Sequence, residues 1–239
     1  MTPHTTIAST LGQIAAARPA SIAVFERFGL DYCCGGRAPL SQACNEAGLE
    51  TSSVLDAIHR AEQAPRDDAA KDWTTSSMTA LTEHIEATHH AFVRDALQRL
   101  AVIVPRVVRA HGERDARLVQ LASVVSTLAV EMRDHMEKEE VVLFPMLRAN
   151  ESAASTGSAG PERLSQPIAC MIAEHESAGA ALASIRTLTD GFAIPRGACP
   201  TYRSMLTLLH DLERDMHVHV HKENNILFPA ALHQRACNT

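Results

Sequence analysis

Asp134–Pro145, DHMEKEEVVLFP, recurs near the end of the chain as Met216–Pro229, MHVHVHKENNILFP. Both copies read His, three residues, Glu, four residues, Phe-Pro: His135, Glu139 and Phe144-Pro145, then His219, Glu223 and Phe228-Pro229. A His and a Glu four apart lie one above the other on a single helical face. A lone HxxxE is most simply a salt bridge on a solvated face, but the flanking residues argue otherwise. Leu118, Leu121, Val125, Leu128 and Met132 climb in steps of three and four, and the same steps continue to His135, Glu139, Val142 and Met146. Met205, Leu209, Leu212 and Met216 lead likewise to His219, Glu223 and Ile226. An imidazole and a carboxylate therefore sit in an apolar seam, twice. Buried charge is costly unless paired or metal-bound, so two inward His-Glu pairs predict a metal site.

The repeat extends upstream. The spacing from His90 to His135 matches that from His175 to His219 to within one residue, which reads as the duplication of a helical hairpin with His on its first helix and HxxxE on its second. His90, His135, His175 and His219 with Glu139 and Glu223 suit two iron or manganese ions inside a bundle, with the carboxylates free to bridge. On the first helix the choice of His stays open. Leu81, Ile85, His89 and Phe92 form one stripe; His90, Val93, Leu97, Leu100 and Val104 form another, and His84 competes as well. Glu86, Glu131 and Glu174 stand one turn before His90, one turn before His135 and immediately before His175, as candidates to orient those rings or to line a route to the metals.

Hydrophobic residues make up 46% of the 239 positions but aromatics only 4%, which favours aliphatic helix packing over sheets. A formal net charge of −6 recommends no nucleic-acid partner. No apolar run has the length of a signal or membrane span, which predicts a cytoplasmic protein. There Cys33, Cys34, Cys44, Cys170, Cys199 and Cys237 are expected as reduced thiols. Four long helices are predicted over about 78–110, with Pro105 kinking or shortening the first, 113–148, 161–189 and 201–233, with bends at Pro145 and Pro229. A small-residue linker, ESAASTGSAG (151–160), separates the halves.

Residues 1–63 read as a separate helical unit, followed by a linker over 64–75 and the bundle over 76–239. Thr10 caps LGQIAAA, Gly29 closes a helix begun at Ala20, Pro39 opens a third, and Ser52 or Ser53 begins a fourth with Val54, Leu55 and Ile58 inward. Between the second and third lies LDYCCGGR (30–37). It is either a turn in which Gly35 and Gly36 supply positive backbone angles and the thiols merely pack, or a thiol or metal-capture site favoured by nearby Arg37.

DYCCGG joined to the duplicated HxxxE-xxxx-FP motif resembles the repair-of-iron-centres (RIC) family across essentially the whole chain. The resemblance implies an all-α fold: a small helical ScdA-type N-terminal domain before a hemerythrin-like up-down four-helix bundle. It also implies two non-haem irons, with or without an oxo bridge, held by His90, His135, Glu139, His175, His219 and Glu223. The family's Tyr-His falls on His89-His90 and its SEH on AEH, which assigns His90 and His175 as ligands. Cys33 and Cys34 fall on the family's paired cysteines as candidate thiols. The implied function is repair of iron-sulfur clusters damaged by oxidative or nitrosative stress, through iron donation or nitric oxide handling. Its partners are then damaged iron-sulfur proteins and small ligands such as nitric oxide or dioxygen, with a homodimer an option. A nitric oxide reductase-type enzyme, or an oxygen, nitric oxide or iron sensor, is the alternative.

Overall fold

The structure, a computed structural model, describes residues 9–63, 72–154 and 162–233. The expected linkers at 64–75 and 151–160 lie largely outside this range, as does Cys237; of their described residues, Trp73–Thr75 form a 3-10 turn and 151–154 continue a helix. Among the described residues the chain is helical, with one isolated β-bridge between Thr10 and Pro39. No described helix is long and apolar enough to cross a membrane.

Four short helices come first: α1 (Leu11–Ala17), α2 (Ala20–Phe28), α3 (Leu40–Glu46) and α4 (Thr51–Gln63). Thr10 and Gln13 close α1 in a capping box, and Gly29 ends α2 at φ 67°. Leu11, Ile14, Phe25, Tyr32, Leu40, Val54 and Ile58 form the core of this unit, with Leu55 at its margin.

The bundle follows as four rods. The first is α5 (Met78–His84), a π turn (Ile85–His90) and α6 (Ala91–His111), which passes through Pro105 without ending. The second is α7 (Arg117–Lys138), a π turn (Glu139–Leu143) and α8 (Phe144–Ala154). Helix α9 (Glu162–Leu188) is the third; the fourth is α10 (Pro200–Lys222), a π turn (Glu223–Leu227) and α11 (Phe228–His233). The π turns of the second and fourth rods answer the prolines. Pro145 and Pro229 donate no N–H, and their rings crowd the carbonyl four residues back. Each is preceded by a widened turn in which the Phe144 or Phe228 N–H reaches the carbonyl of Glu139 or Glu223.

Two apolar layers fill the bundle. Leu100, Leu121, Leu128, Leu209 and Leu212 belong to one, and Ile85, Leu143, Phe144, Ile168, Leu227 and Phe228 to the other. Sequence order places His90, His135, Glu139, His175, His219 and Glu223 between the layers on every rod, and none is more than 1% exposed.

Glu151 ties the end of α8 to the start of α5. Its carboxylate accepts from the Met78 N–H (2.7 Å), the Thr79 N–H (3.0 Å) and the Thr79 hydroxyl (2.7 Å). Burial pushes this carboxyl up, but the bonds from Thr79 and Met78 prevail and hold it below its ordinary value. A depressed folded value stabilises above the unfolded one, about 4.3, and the contribution disappears as pH falls through the folded value. Glu151→Gln is therefore expected to lower stability by about 1 kcal/mol near neutrality. The gap should close in acid, as thermal melts across pH will register; a constant gap would contradict the ionised cap.

The N-terminal unit docks on the last π turn. The Asn225 side-chain amide donates to the carbonyls of Tyr32 (3.2 Å) and Cys33 (3.3 Å). A Cβ on Gly36 would lie 2.6 Å from Asn225 Oδ1 and 2.6 Å from the Tyr32 carbonyl. Gly35 and Gly36 thus serve close approach, and the positive-φ expectation for them is corrected: the described glycines with positive φ are Gly29, Gly48, Gly191 and Gly197.

Candidate metal centre

The rods bring the six inward residues into two overlapping groups. His90, His219, Glu139 and Glu223 form the first; His135, His175, Glu139 and Glu223 form the second, and in each group the ligand-capable atoms lie within 4.8 Å of one another. Both carboxylates are common to both groups. Glu223 spans them, with Oε1 3.0 Å from His219 Nε2 and Oε2 3.1 Å from His175 Nε2. Glu139 Oε2 lies 3.3 Å from Nε2 of both His90 and His135. The imidazoles meet nose to nose, His90 Nε2 to His219 Nε2 at 3.2 Å and His175 Nε2 to His135 Nε2 at 3.1 Å.

Protein groups alone leave this cluster incomplete. Both oxygens of Glu139 and Oε2 of Glu223 are buried without a hydrogen-bond partner among the described residues, the 3.1–3.3 Å approaches lacking hydrogen-bond geometry. Native interiors rarely tolerate such orphans. Four converging imidazole nitrogens with two carboxylates form a nitrogen and oxygen donor set that fits iron or manganese.

Three rings are anchored from behind. His90 Nδ1 pairs with Glu140 Oε1 (2.7 Å), His135 Nδ1 with Glu174 Oε2 (2.8 Å) and His175 Nδ1 with Asn224 Oδ1 (2.9 Å). Each acceptor fixes the Nδ1–H tautomer and turns Nε2 inward. Phe144 stacks on His90 and Phe228 on His175, which gives the Phe of each Phe-Pro pair its place. Burial lowers the affinity of His135 for a proton, but Glu139 and Glu223 more than compensate and raise it to about 9. His90 and His175 are raised in the same way, whereas burial, reinforced by His90, leaves His219 lowered. Despite burial, Glu223 is held well below the carboxylate range by His219 and His175.

Of the three carboxylates considered as ring orienters, Glu174 contacts an imidazole. Glu86 pairs with Arg148 (2.6 Å), and exposed Glu131 lines a cavity of about 210 Å³ that reaches His135. Sequence reasoning missed Glu140 and Asn224. The repeat carried a signal for them, since each immediately follows the Glu of its HxxxE. His89 turns away from the nitrogen cluster, its Nδ1 against Asp215 (2.9 Å) and its Nε2 against Lys222 (2.7 Å). His217 and His221 face the N-terminal unit, the former bonded to Glu26 (2.8 Å) and the latter edge-on to Tyr32.

Cys33 and Cys34 are free thiols whose sulfurs lie 3.9 Å apart, and Cys34 Sγ donates to the His175 carbonyl (3.5 Å). The pair sits in a cleft of about 500 Å³ walled by Gly179, Ala180 and Ala183 of α9. Hydrogen bonding to Cys34, with burial, pushes Cys33 up; the bond from Cys33 outweighs burial and lowers Cys34. The main cations acting on Cys34 are His175 and His217, in place of the Arg37 suggested by adjacency in sequence.

Two family models match. The hemerythrin HHE cation binding domain covers residues 80–231, and ScdA_N, a domain of unknown function, covers residues 7–62. A hemerythrin-like domain implies iron binding, and these His and Glu groups could hold it. The chain is 33% identical over 223 residues to the iron-sulfur cluster repair protein YtfE of Yersinia pseudotuberculosis serotype IB (strain PB1/+), covering 93% of this chain and 96% of that protein. The protein of the same name from Yersinia pestis (strain Pestoides F) matches equally, at 33% over the same shares.

Proposed function

The chain belongs to the RIC family of iron-sulfur cluster repair proteins with a hemerythrin-like domain, and from that premise we propose that it binds two iron ions and serves the repair of damaged iron-sulfur clusters. One observation carries the two-ion reading: two groups of four buried residues share both of their carboxylates. His90 and His219 would hold one ion and His135 and His175 the other, with Glu139 and Glu223 common to both. Bound there, the ions supply redox and Lewis-acid chemistry toward a small ligand such as nitric oxide.

The chain's own residues set the conditions. Glu140, Glu174 and Asn224 hold three rings in the ligating tautomer, while the apolar layers above and below exclude water. The two carboxylates balance the charge of incoming cations, and the imidazoles shed their protons as metal enters. Iron leaving as cargo would find soft sulfur acceptors at Cys33 and Cys34 in the adjoining cleft.

Incubation of the iron-loaded protein with a cluster-damaged iron-sulfur enzyme tests this reading. The wild type is expected to restore client activity, and the Cys33→Ala, Cys34→Ala double variant to restore it several-fold more slowly with its iron content unchanged. Equal rescue by that variant would detach the thiols from the mechanism; no rescue by the wild type would remove the repair reading. The contact between Cys34 and His175 favours a second reading, in which the dithiol supplies two electrons for the reduction of two nitric oxide molecules to nitrous oxide and water, becoming a disulfide. Sustained nitrous oxide production with a dithiol reductant would favour it.

A further inference from the structure

The duplicated halves support their imidazoles unequally. In the second group both rings are anchored, His135 on Glu174 and His175 on Asn224. In the first group His90 rests on Glu140, but His219 Nδ1 has no hydrogen-bond partner among the described residues, and the residue is 0% exposed.

The repeat shows what is missing. Lys138 and Lys222 each precede the Glu of an HxxxE, and Glu174 and His89 each precede the His of a first helix. Glu174 binds both its imidazole and its lysine, with Lys138 Nζ at 2.6 Å. Its counterpart His89 also meets its lysine, Lys222 Nζ lying 2.7 Å from Nε2. An ammonium only donates, so His89 Nε2 accepts and Nδ1–H donates to Asp215. Toward His219 the ring presents a face, 5.6 Å between centroids and 3° from parallel. A carboxylate is replaced by a ring that offers His219 no acceptor.

We propose that the position built from His90, His219, Glu139 and Glu223 is the weaker of the two and releases its ion first, and that residue 89 sets the difference. The inference rests on the two-ion reading above. An imidazole whose far N–H is satisfied is a stronger and better-oriented ligand, and the loss of such a partner lowers metal affinity about 10–100-fold. The two positions thereby divide the work: the His135 and His175 side retains its ion, and the His90 and His219 side exchanges. His89 also lines a cleft of about 530 Å³ whose polar wall is made by Glu26, Asp211, Arg214 and Asp215.

Anaerobic iron(II) titration of the metal-free full-length protein, in competition with a chromogenic chelator, tests the proposal. The wild type should bind in two steps separated by about 10–100-fold. His89→Glu, which with Lys222 rebuilds the arrangement of Glu174 with Lys138, should strengthen the weak step and leave the tight one. Glu174→Ala should weaken the tight step until the two converge; this variant decides the matter if circular dichroism shows His89→Glu to be misfolded. Two steps of equal affinity in the wild type, or Glu174→Ala acting on the weak step or on neither, overturn the proposal while leaving the two-ion reading intact. Binding of one ion or none overturns both.

Discussion

Glu223→Ala is expected to strip iron from both positions, whereas His135→Ala empties one. Glu223 gives one oxygen to each group, facing His219 with Oε1 and His175 with Oε2. Truncation removes a donor from both ion positions and half of the negative charge that balances them. Glu139 cannot replace it, because its approach to both His90 and His135 is through the single oxygen Oε2. His135 belongs to the second group only, so its loss leaves His90 and His219 with both carboxylates. Metal analysis and the optical spectrum of freshly purified protein check the contrast, with Cys33→Ala as the variant expected to keep its full content. Two irons per chain in Glu223→Ala would overturn the shared-carboxylate reading.

Gly36→Ala should separate the N-terminal loop from the bundle. The added Cβ would sit 2.6 Å from both Asn225 Oδ1 and the Tyr32 carbonyl. Neither gives way easily: one is backbone, and the other is pinned by Tyr32, Cys33 and His221. Overpacking of this kind costs about 1–3 kcal/mol, and in a chain of this size each kcal/mol lowers the melting temperature by about 2–4 °C. Because Cys33 and Cys34 ride on the same loop, their alkylation should quicken in parallel. A wild-type melt with thiols still protected would show that the loop closes some other way.

The helical rods and the inward faces of His135, Glu139, His219 and Glu223 were legible because local periodicity encodes them. His90 was not distinguishable from His89 on that basis. Both lie in the π turn Ile85–His90, where the spacing of an α-helix no longer tells which residue points inward. The resemblance assigned His90, and His90 is the one turned toward the cluster. Glu140 and Asn224 escaped notice because they reach across to another rod, and the register between rods is not written in the periodicity of either. Glu86 illustrates the opposite error. One turn from His90 in sequence, it is drawn sideways to Arg148. Asn225 and Gly36 show the same limit at the junction with the N-terminal unit, where two close approaches meet that neither segment announces alone.

Neither half of the duplication owns a complete group: each pairs one imidazole from the first hairpin with one from the second. An ion in the first group would cross-link residues 129 positions apart, and one in the second residues 40 apart. Such closures restrict the unfolded chain, and the restriction grows only logarithmically with loop length, so the shorter tie is nearly as effective as the longer. Metal thereby becomes a fastening between hairpins. With iron in place the two hairpins would melt as one unit, and a chain cut between Ala154 and Glu162 would still hold together; without it, they are joined by the apolar layers and by polar contacts such as Lys138 with Glu174 and His89 with Asp215.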